Sequence, residues 1–230
     1  MRSVSLALLG AFVLLPVAAG AIPYTLTLED NVSGGPDTGQ PLAPPVVVVH
    51  DAGYSIFTVG MPASPGLETL AEEGAPTGVA AEAMASPNVH TVVTGTGPFF
   101  GSVSVDFEAN PGDLVSVASM FGRTNDLFTG IRNVTLPAMG VMVITPTNVY
   151  DAGTEMNTGM AAHIPFYGNS GVGPDENGVV SMISTYTVVD DPTYGMLTWD
   201  FPPSATITIV ANEPAPVEAT SWAGVKGLYR

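Results

Sequence analysis

Short runs of alternating or continuous apolar residues dominate the chain and predict β-strands. Residues 24–30 (YTLTLED) alternate apolar and polar side chains, as does a strand with one buried face. The run VVVVH at 46–50 is typical of a short strand buried on both faces. Further strands are predicted at 55–60, 89–95, 102–109, 114–121, 127–134, 139–150, 178–189 and 205–212. Glycine and proline lie between these segments, so the pattern predicts an antiparallel β-sandwich.

One segment has a helical pattern instead. In SPGLETLAEEGAP, Ser64 is suited to cap the amino terminus, Pro65 to occupy the first helical position, and Gly74 to end the helix. Apolar residues recur three and four positions apart in this segment. We therefore predict one short helix that packs on the sandwich. Residues 157–178 are rich in Gly, Asn and Pro and are predicted to form a long loop.

The amino terminus has the features of a secretory signal. Residues 1–21 combine a basic start at Arg2, an apolar run and a small-residue cleavage site at Ala21. The alternative is a membrane anchor, but the apolar run is short for a span. We expect export with cleavage near Ala21, no span in the mature chain, one domain over 22–215, and a tail at 216–230. The final compartment, extracellular or periplasmic, stays open.

Charge and cysteine content narrow the function classes. The chain has 21 acidic and 5 basic residues, for a net charge of −16, so it cannot build the basic patch that nucleic acid or anionic lipid requires. It has no cysteine, which excludes disulfides, thiolate zinc sites and a cysteine nucleophile. An exported protein of this kind must be stabilised by its core or by a metal.

Three acids in two short loops are the strongest chemical signal. Asp126 follows the strand predicted at 114–121, and Asp151 and Glu155 follow the strand predicted at 139–150. Gly153 permits a tight turn between the latter two. Carboxylates in flexible loops are ligands that Ca²⁺ prefers, so we hypothesise one calcium ion bound by this trio. The alternative is that each Asp merely hydrogen-bonds its own turn.

Other candidate sites are weaker. The three histidines, His50, His90 and His163, lack metal-ligand spacing and are expected to be structural. No Gly-x-Ser-x-Gly nucleophile motif is present. Trp199 and Trp222 could stack on sugar rings, although buried packing roles are the alternative.

Three segments carry a resemblance to a known family, the spondin domain. They are residues 39–74 (GQPLAPPVVVVHDAGYSIFTVGMPASPGLETLAEEG), 109–131 (ANPGDLVSVASMFGRTNDLFTGI) and 149–159 (VYDAGTEMNTG). With the final strand, the chain resembles that family over roughly residues 24–212. The resemblance implies an eight-stranded, C2-like β-sandwich that binds calcium at one end. It implies Asp126, Asp151 and Glu155 as ligands, with Glu155 where the family can carry Asp.

These observations together lead to a functional expectation. We expect a secreted, calcium-binding, non-enzymatic module for adhesion, whose partner is an unknown protein or polysaccharide at the cell surface. Arg123, Thr124 and Asn125 are expected to face that partner, while Phe128 is expected either there or in the core. A carbohydrate- or polymer-binding module is the alternative, and a metal-dependent hydrolase is a third class.

Overall fold

The computed structural model describes residues 20–168 and 172–213 and shows a mainly antiparallel β-protein with few helices. The predicted signal segment lies almost wholly outside the described residues, as do the tail at 216–230 and Trp222. The strands are β1 (Ile22–Asp30), β2 (Val46–His50), β3 (Val89–Thr94), β4 (Ser102–Ala109), β5 (Leu114–Met120), β6 (Leu127–Thr135), β7 (Met142–Asp151), β8 (Ser181–Ile183), β9 (Thr185–Asp191), β10 (Gly195–Asp200) and β11 (Ala205–Ala211). The helices are α1 (Gly35–Thr38), α2 (Pro65–Glu73) and α3 (Thr77–Met84), with 3₁₀ turns at Ala161–His163 and Pro165–Tyr167.

Eight strands form one hydrogen-bonded path in the order β3-β2-β5-β6-β7-β11-β1-β4. The two ends of the path approach each other, where the Thr91 hydroxyl donates to the Glu108 carbonyl at 3.3 Å. The sheet is therefore nearly closed, with β8 added to β7 and a separate β9–β10 hairpin. The predicted antiparallel all-β fold is confirmed. The finer C2-like arrangement stays a prediction, because the strands are joined in one continuous path.

The main core fills the inside of this sheet. Tyr24, Leu26 and Leu28 of β1 are fully buried and alternate with partly exposed neighbours. Ile207 and Ile209 of β11 face the same interior. Each such fully buried aliphatic side chain contributes about 1.5–3 kcal/mol through the removal of apolar surface from water. This alternation explains why the sequence pattern located β1 and β11 well.

A second core lies on the outer side of the sheet, beneath α2 and α3. Val46 and Val48 of β2 face this core, whereas Val47 and Val49 face the main one. The whole of β2 is therefore buried, which explains its uninterrupted valine run. Leu70 of α2 is among the side chains that cover it.

Helix α2 begins and ends as predicted. The Ser64 hydroxyl accepts a hydrogen bond from the Leu67 N–H at 3.2 Å, and Gly74 ends the helix at a φ of 68°. The prediction of one short helix was wrong, because α3 follows at once. Glu82 of α3 accepts hydrogen bonds from the Gly66 N–H and the Ser64 hydroxyl, both at 2.6 Å. The first turn of α2 is thus tied to α3 by a contact that spans 16 to 18 residues of sequence.

The strand predictions also need three corrections. The segment predicted as one strand at 178–189 forms two, β8 and β9, which lie in different sheets. Residues 55–60 form no strand, because Ile56 and Phe57 are consecutive and both are buried in the outer core rather than alternating between two faces. Strand β10 was missed because most of its residues are exposed or partly exposed and give little apolar signal. The described parts of the loop predicted at 157–178, residues 157–168 and 172–178, are irregular apart from two 3₁₀ turns and an isolated bridge from Asp175 to Glu155.

Strand β7 changes partner along its length. It pairs with β11 over residues 142–147 and with β6 over residues 148–151. Pro146 lies opposite Thr206 in the part of β7 that pairs with β11 but not with β6, which fits the restriction of proline to strand segments with one unpaired side. The β6–β7 ladder ends at the pair Leu127–Asp151, which places the end of β7 beside the start of β6.

Burial of Asp30 should make stability depend on pH. Burial raises the pKa of Asp30 from its ordinary 3.8 to about 6. Its contribution to stability is therefore present below the unfolded pKa and is lost as the pH rises through the folded one. We expect Asp30→Asn to have little effect near about pH 4 and to stabilise by about 1 kcal/mol above about pH 7, a value reduced for solvent screening.

Chemical denaturation across this pH range is the measurement, with Glu29→Gln as the matched control on the exposed side of the same strand. The same pH-dependent gain in stability in both variants would show that the pH dependence does not come from Asp30.

Candidate metal centre

Strand pairing brings the two acidic loops together. Asp126 immediately precedes β6 and Asp151 ends β7, and Leu127 pairs with Asp151. Ala152 N–H donates to the Asp126 carbonyl at 3.2 Å and extends this contact by one residue. Two loops that are 25 positions apart in sequence thus meet at one end of the sheet. The predicted proximity of Asp126 and Asp151 follows directly from this register.

The first loop is held rigidly beneath the surface. The Thr124 hydroxyl donates to the Phe121 carbonyl at 2.6 Å and accepts from the Leu127 N–H at 3.2 Å. Thr124 and Asp126 are both fully buried. The carboxylate of Asp126 therefore cannot turn to solvent without disruption of the loop.

The two carboxylate oxygens of Asp126 have unlike surroundings. Oδ2 accepts from the Thr154 N–H at 2.8 Å, the Thr154 hydroxyl at 3.2 Å and the Glu155 N–H at 3.1 Å. Oδ1 is buried and has no hydrogen-bond partner. Burial, together with the charge of Asp151, raises the pKa of Asp126 to about 7. An unpartnered buried carboxylate oxygen is costly and needs an explanation, which a bound cation would supply.

Asp151 is held by its own turn. Its Oδ1 accepts from the Gly153 N–H at 2.7 Å and its Oδ2 from the Asn157 side-chain amide at 2.5 Å. Gly153 has a φ of 70°, and a Cβ atom there would lie 2.6 Å from the Val179 nitrogen. Burial raises the pKa of Asp151. The local hydrogen bonds predicted as the alternative role of Asp151 are therefore present, alongside its position next to Asp126.

Glu155 does not place its carboxylate against this pair. Its Oε1 accepts from the Gly173 N–H at 2.6 Å, and its Oε2 lies 3.4 Å from the Asn125 side-chain amide nitrogen. Within residues 20–168 and 172–213, no three His, Asp or Glu side chains converge as a metal-binding group. The structure thus brings Asp126 and Asp151 together, while Glu155 contacts Asp126 through its backbone N–H.

A buried polar network surrounds Glu155. The Tyr186 hydroxyl donates to Asn125 Oδ1 at 2.6 Å, and the Gly159 N–H donates to the same oxygen at 3.2 Å. The Asn125 amide also lies 3.3 Å from the His163 carbonyl oxygen. The start of the 157–178 loop is therefore fastened to the first acidic loop.

Two neighbours of the site were missed in the sequence. His163 lies close enough to Glu155 for its charge to oppose the rise in pKa that burial causes there. Burial, and after it the charge of Glu155, raises the pKa of Glu72 on α2. Glu72 is far from the acidic loops in sequence, whereas His163 follows Glu155 by eight positions but forms no metal-ligand spacing with another histidine. His50, in contrast, is structural as predicted, with its ring nitrogens 2.7 Å from the Asp51 carbonyl and 2.8 Å from the Ser116 hydroxyl.

The residues expected to face a partner are buried. Arg123 is 4% exposed and donates to the Pro36 and Asp37 carbonyls at 2.8 Å each. Thr124 and Asn125 are fully buried, so the prediction of a partner surface made by these residues was wrong. The physical reason is that α1 and the 157–178 loop cover this end of the sheet.

The aromatic side chains near the site are also buried. Phe128 is in the core, stacked on Tyr150 with ring centroids 5.4 Å apart. Trp199 is buried, with its indole N–H donating to the Thr38 carbonyl at 2.8 Å, so it cannot serve as an exposed sugar platform. Tyr194, in contrast to Trp199, is exposed at the surface.

The chain thus forms an antiparallel β-domain in which two acidic loops meet at one end of the sheet. The Spondin_N family model matches residues 37–166, more than half of the chain, and the chain belongs to the spondin N-terminal domain family. The match includes α2 and both acidic loops. No curated protein matches the chain.

Membership of this family places the chain among extracellular modules that are generally non-enzymatic. In the part of the chain that the structure describes, no helix is long and apolar enough to cross a membrane.

The turn at Gly153 should be intolerant of a side chain. We expect Gly153→Ala to lower the free energy of unfolding by about 2–3 kcal/mol, because it adds both left-handed strain and a backbone clash. The control is Gly140→Ala, where φ is 73° but no atom lies within 4 Å of the new Cβ. That variant should lose only about 1 kcal/mol, from backbone strain alone. Urea denaturation with a chelator present measures both, and equal losses would contradict this account of the second loop.

Proposed function

We propose that this protein is a secreted module that binds one calcium ion at the Asp126–Asp151 end of its sheet and uses it for interaction outside the cell. The observation that carries the proposal is the buried, unpartnered Oδ1 of Asp126 beside a second carboxylate. Two adjoining negative charges repel each other when buried, and a divalent cation removes that cost. Family membership supports the extracellular setting.

The chemistry of the donors favours calcium. The proposed ligands are Asp126, Asp151 and Glu155, and all three offer hard oxygen atoms. Calcium takes 6–8 such oxygens, so backbone carbonyls and water complete the set. Zinc sites in proteins are mostly built with cysteine sulfur or histidine nitrogen, and the protein has no cysteine and no histidine among the proposed ligands.

Glu155 is the ligand that has to change partners. Its carboxylate accepts hydrogen bonds from Gly173 and Asn125, so coordination requires it to leave these donors. Such a change would alter contacts at the 157–178 loop, which lies at the same end of the sheet. Metal binding would thereby be coupled to the loop surface that an extracellular partner would meet. The C2-like arrangement that the family resemblance implies would place these loops at one exposed end.

Adhesion to a cell-surface protein or polysaccharide is the proposed use of this module. Between residues 20 and 213, the basic residues are Arg123 and Arg132, and neither has a freely exposed guanidinium. A cationic partner, or calcium acting as a bridge, is therefore favoured over an anionic one.

Calcium-dependent hydrolysis that is abolished by Glu155→Gln, with the fold intact, would instead support the hydrolase alternative, in which His163 could act as a base beside the metal.

Calorimetry on the demetallated protein tests the ligand assignment. We expect about one Ca²⁺ per chain with a Kd of about 10⁻⁴–10⁻³ M or tighter, as in extracellular modules. Asp151→Asn should weaken binding at least tenfold, since it removes a carboxylate from the site, whereas Asp106→Asn on the exposed face of β4 should not. Absence of calcium heat in the unaltered protein would contradict the proposal.

Asp126→Asn should reverse the order of stability between two conditions. Without calcium, the variant should melt no lower than the unaltered protein, because it removes a buried charge while Asn can still accept the Thr154 and Glu155 hydrogen bonds. With calcium at a hundredfold excess over Kd, the unaltered protein gains about 2.7 kcal/mol, or about 5–10 °C in Tm, and the variant gains little. Thermal melts with chelator and with calcium measure this. Equal calcium-induced shifts in the two proteins would remove Asp126 from the site.

A further inference from the structure

We propose that the exposed methionines of this domain form a sacrificial oxidation surface, whose thioethers become sulfoxides in the extracellular setting while the fold is retained. This role is separate from calcium binding and does not depend on it. Eight methionines in the described part of the chain carry it, and each is at least 42% exposed. They are Met61, Met84, Met139, Met142, Met156, Met160, Met182 and Met196.

Methionine and leucine are sorted to opposite sides of this fold. Methionine is normally among the residue types most often buried. Over residues 20–168 and 172–213, however, Met120 is the one buried methionine. The leucines of the same residues, from Leu26 to Leu197, are all buried or half-buried. Because the two side chains are interchangeable in volume, a need for apolar surface alone would not place one type outside and the other inside.

The exposed methionines are spread over the surface rather than gathered in one patch. Met142 begins β7, and Met156 follows the loop at the other end of that strand. The ten residues of β7 separate these ends by about 30 Å. Met84 ends α3, and Met196 lies in the β9–β10 hairpin. One partner patch or one metal ion could not engage sulfur atoms this far apart, whereas an oxidant that diffuses from any direction would meet one.

The thioether group supplies the chemistry. A hydroperoxide transfers one oxygen atom to the sulfur in a two-electron oxidation, which forms the sulfoxide and releases water or the corresponding alcohol. Because the chain has no cysteine, no thiol competes for the oxidant and no disulfide cross-link forms. A methionine sulfoxide reductase reverses the reaction, so that class of enzyme would regenerate the surface.

The packing explains why the fold should survive this reaction. A sulfoxide is polar and disrupts a core in which it forms. At the exposed positions the new oxygen is hydrated instead. Met120 is the exception, because its sulfur lies against the turn that ends α2, where a Cβ added to Gly74 would be 3.5 Å away. Its 2% exposure keeps this one sensitive sulfur away from solvent.

Controlled oxidation with hydrogen peroxide, followed by peptide mass spectrometry, tests which sulfur atoms react. We expect sulfoxide at the eight exposed positions while Met120 remains mainly a thioether, because reactivity follows exposure. The oxidised product should melt within about 5 °C of the untreated protein, since surface changes have small effects on stability. Oxidation of Met120 in step with the others, or unfolding before the eight positions have reacted, would overturn the proposal.

A leucine variant separates the effect of sulfur from that of apolar surface. Replacement of all eight exposed methionines by leucine keeps the side-chain volume and removes the reactive atom. With limiting hydrogen peroxide and an equimolar peptide that contains one methionine, the unaltered protein should lower oxidation of the peptide by about fivefold to ninefold, because its thioethers share the oxidant. The eightfold variant should lower it less than about twofold.

Met120→Leu is the matched control, since the same substitution at a buried position should leave the protection of the peptide unchanged. If the eightfold variant does not fold, a fourfold variant should take up half as much oxygen. It changes to leucine the methionines that lie in loops, Met61, Met139, Met156 and Met160.

All of these measurements are made with a chelator present, so their outcome does not depend on whether the protein binds calcium. Equal protection of the peptide by the eightfold variant and the unaltered protein would show that the exposed sulfur atoms do not absorb the oxidant. An undiminished oxygen uptake by the fourfold variant, or loss of protection in Met120→Leu, would overturn the proposal in the same way.

Discussion

The register between β6 and β7 is the constraint on which the rest of the site depends. The Leu127–Asp151 pair ends this ladder, and it leaves the buried Asp126 beside the half-buried Asp151. Every further contact of the second loop is built on that arrangement: the Thr154 and Glu155 N–H groups point to Asp126, and Gly153 makes the turn that aims them. A shift of one residue in the register would direct these side chains to the opposite face.

A buried carboxylate beside a half-buried one is an unfavourable feature when no cation is bound. The chain has no disulfide to compensate, and its surface charge adds further repulsion. A cation that binds only the folded state would offset both costs at once. In this account the same ion would stabilise the domain and fix the loops that a partner meets, so stability and function would depend on one site.

The sequence predicted the fold wherever burial alternates along a strand. Strand β4 has the predicted bounds, and β1 and β11 differ by two residues or fewer, because each has one buried and one more exposed face. Strand β10 and helix α3 were not predicted, since most of β10 lies at the surface and α3 is stabilised by contacts with α2 that lie distant in sequence. Ile56 and Phe57 gave a false strand signal, because apolar residues show that a segment is buried but not which element covers it.

Part of the site could also be predicted from the order of the strands. Asp126 and Asp151 flank strands that are neighbours in the sheet, so their proximity could be inferred from the chain. The direction of the Glu155 carboxylate depends on Gly173 and Asn125, and the proximity of His163 and Glu72 depends on how a loop and a helix fold over the sheet.

The most direct measurement of the central claim is a crystal structure of the protein grown or soaked in calcium, with anomalous diffraction to identify the ion. The account predicts a calcium ion about 2.3–2.6 Å from Asp126 Oδ1, with a carboxylate oxygen of Asp151 in the same coordination shell. A water molecule or a protonated hydrogen-bond partner at that oxygen, with no metal in the anomalous map at saturating calcium, would contradict it.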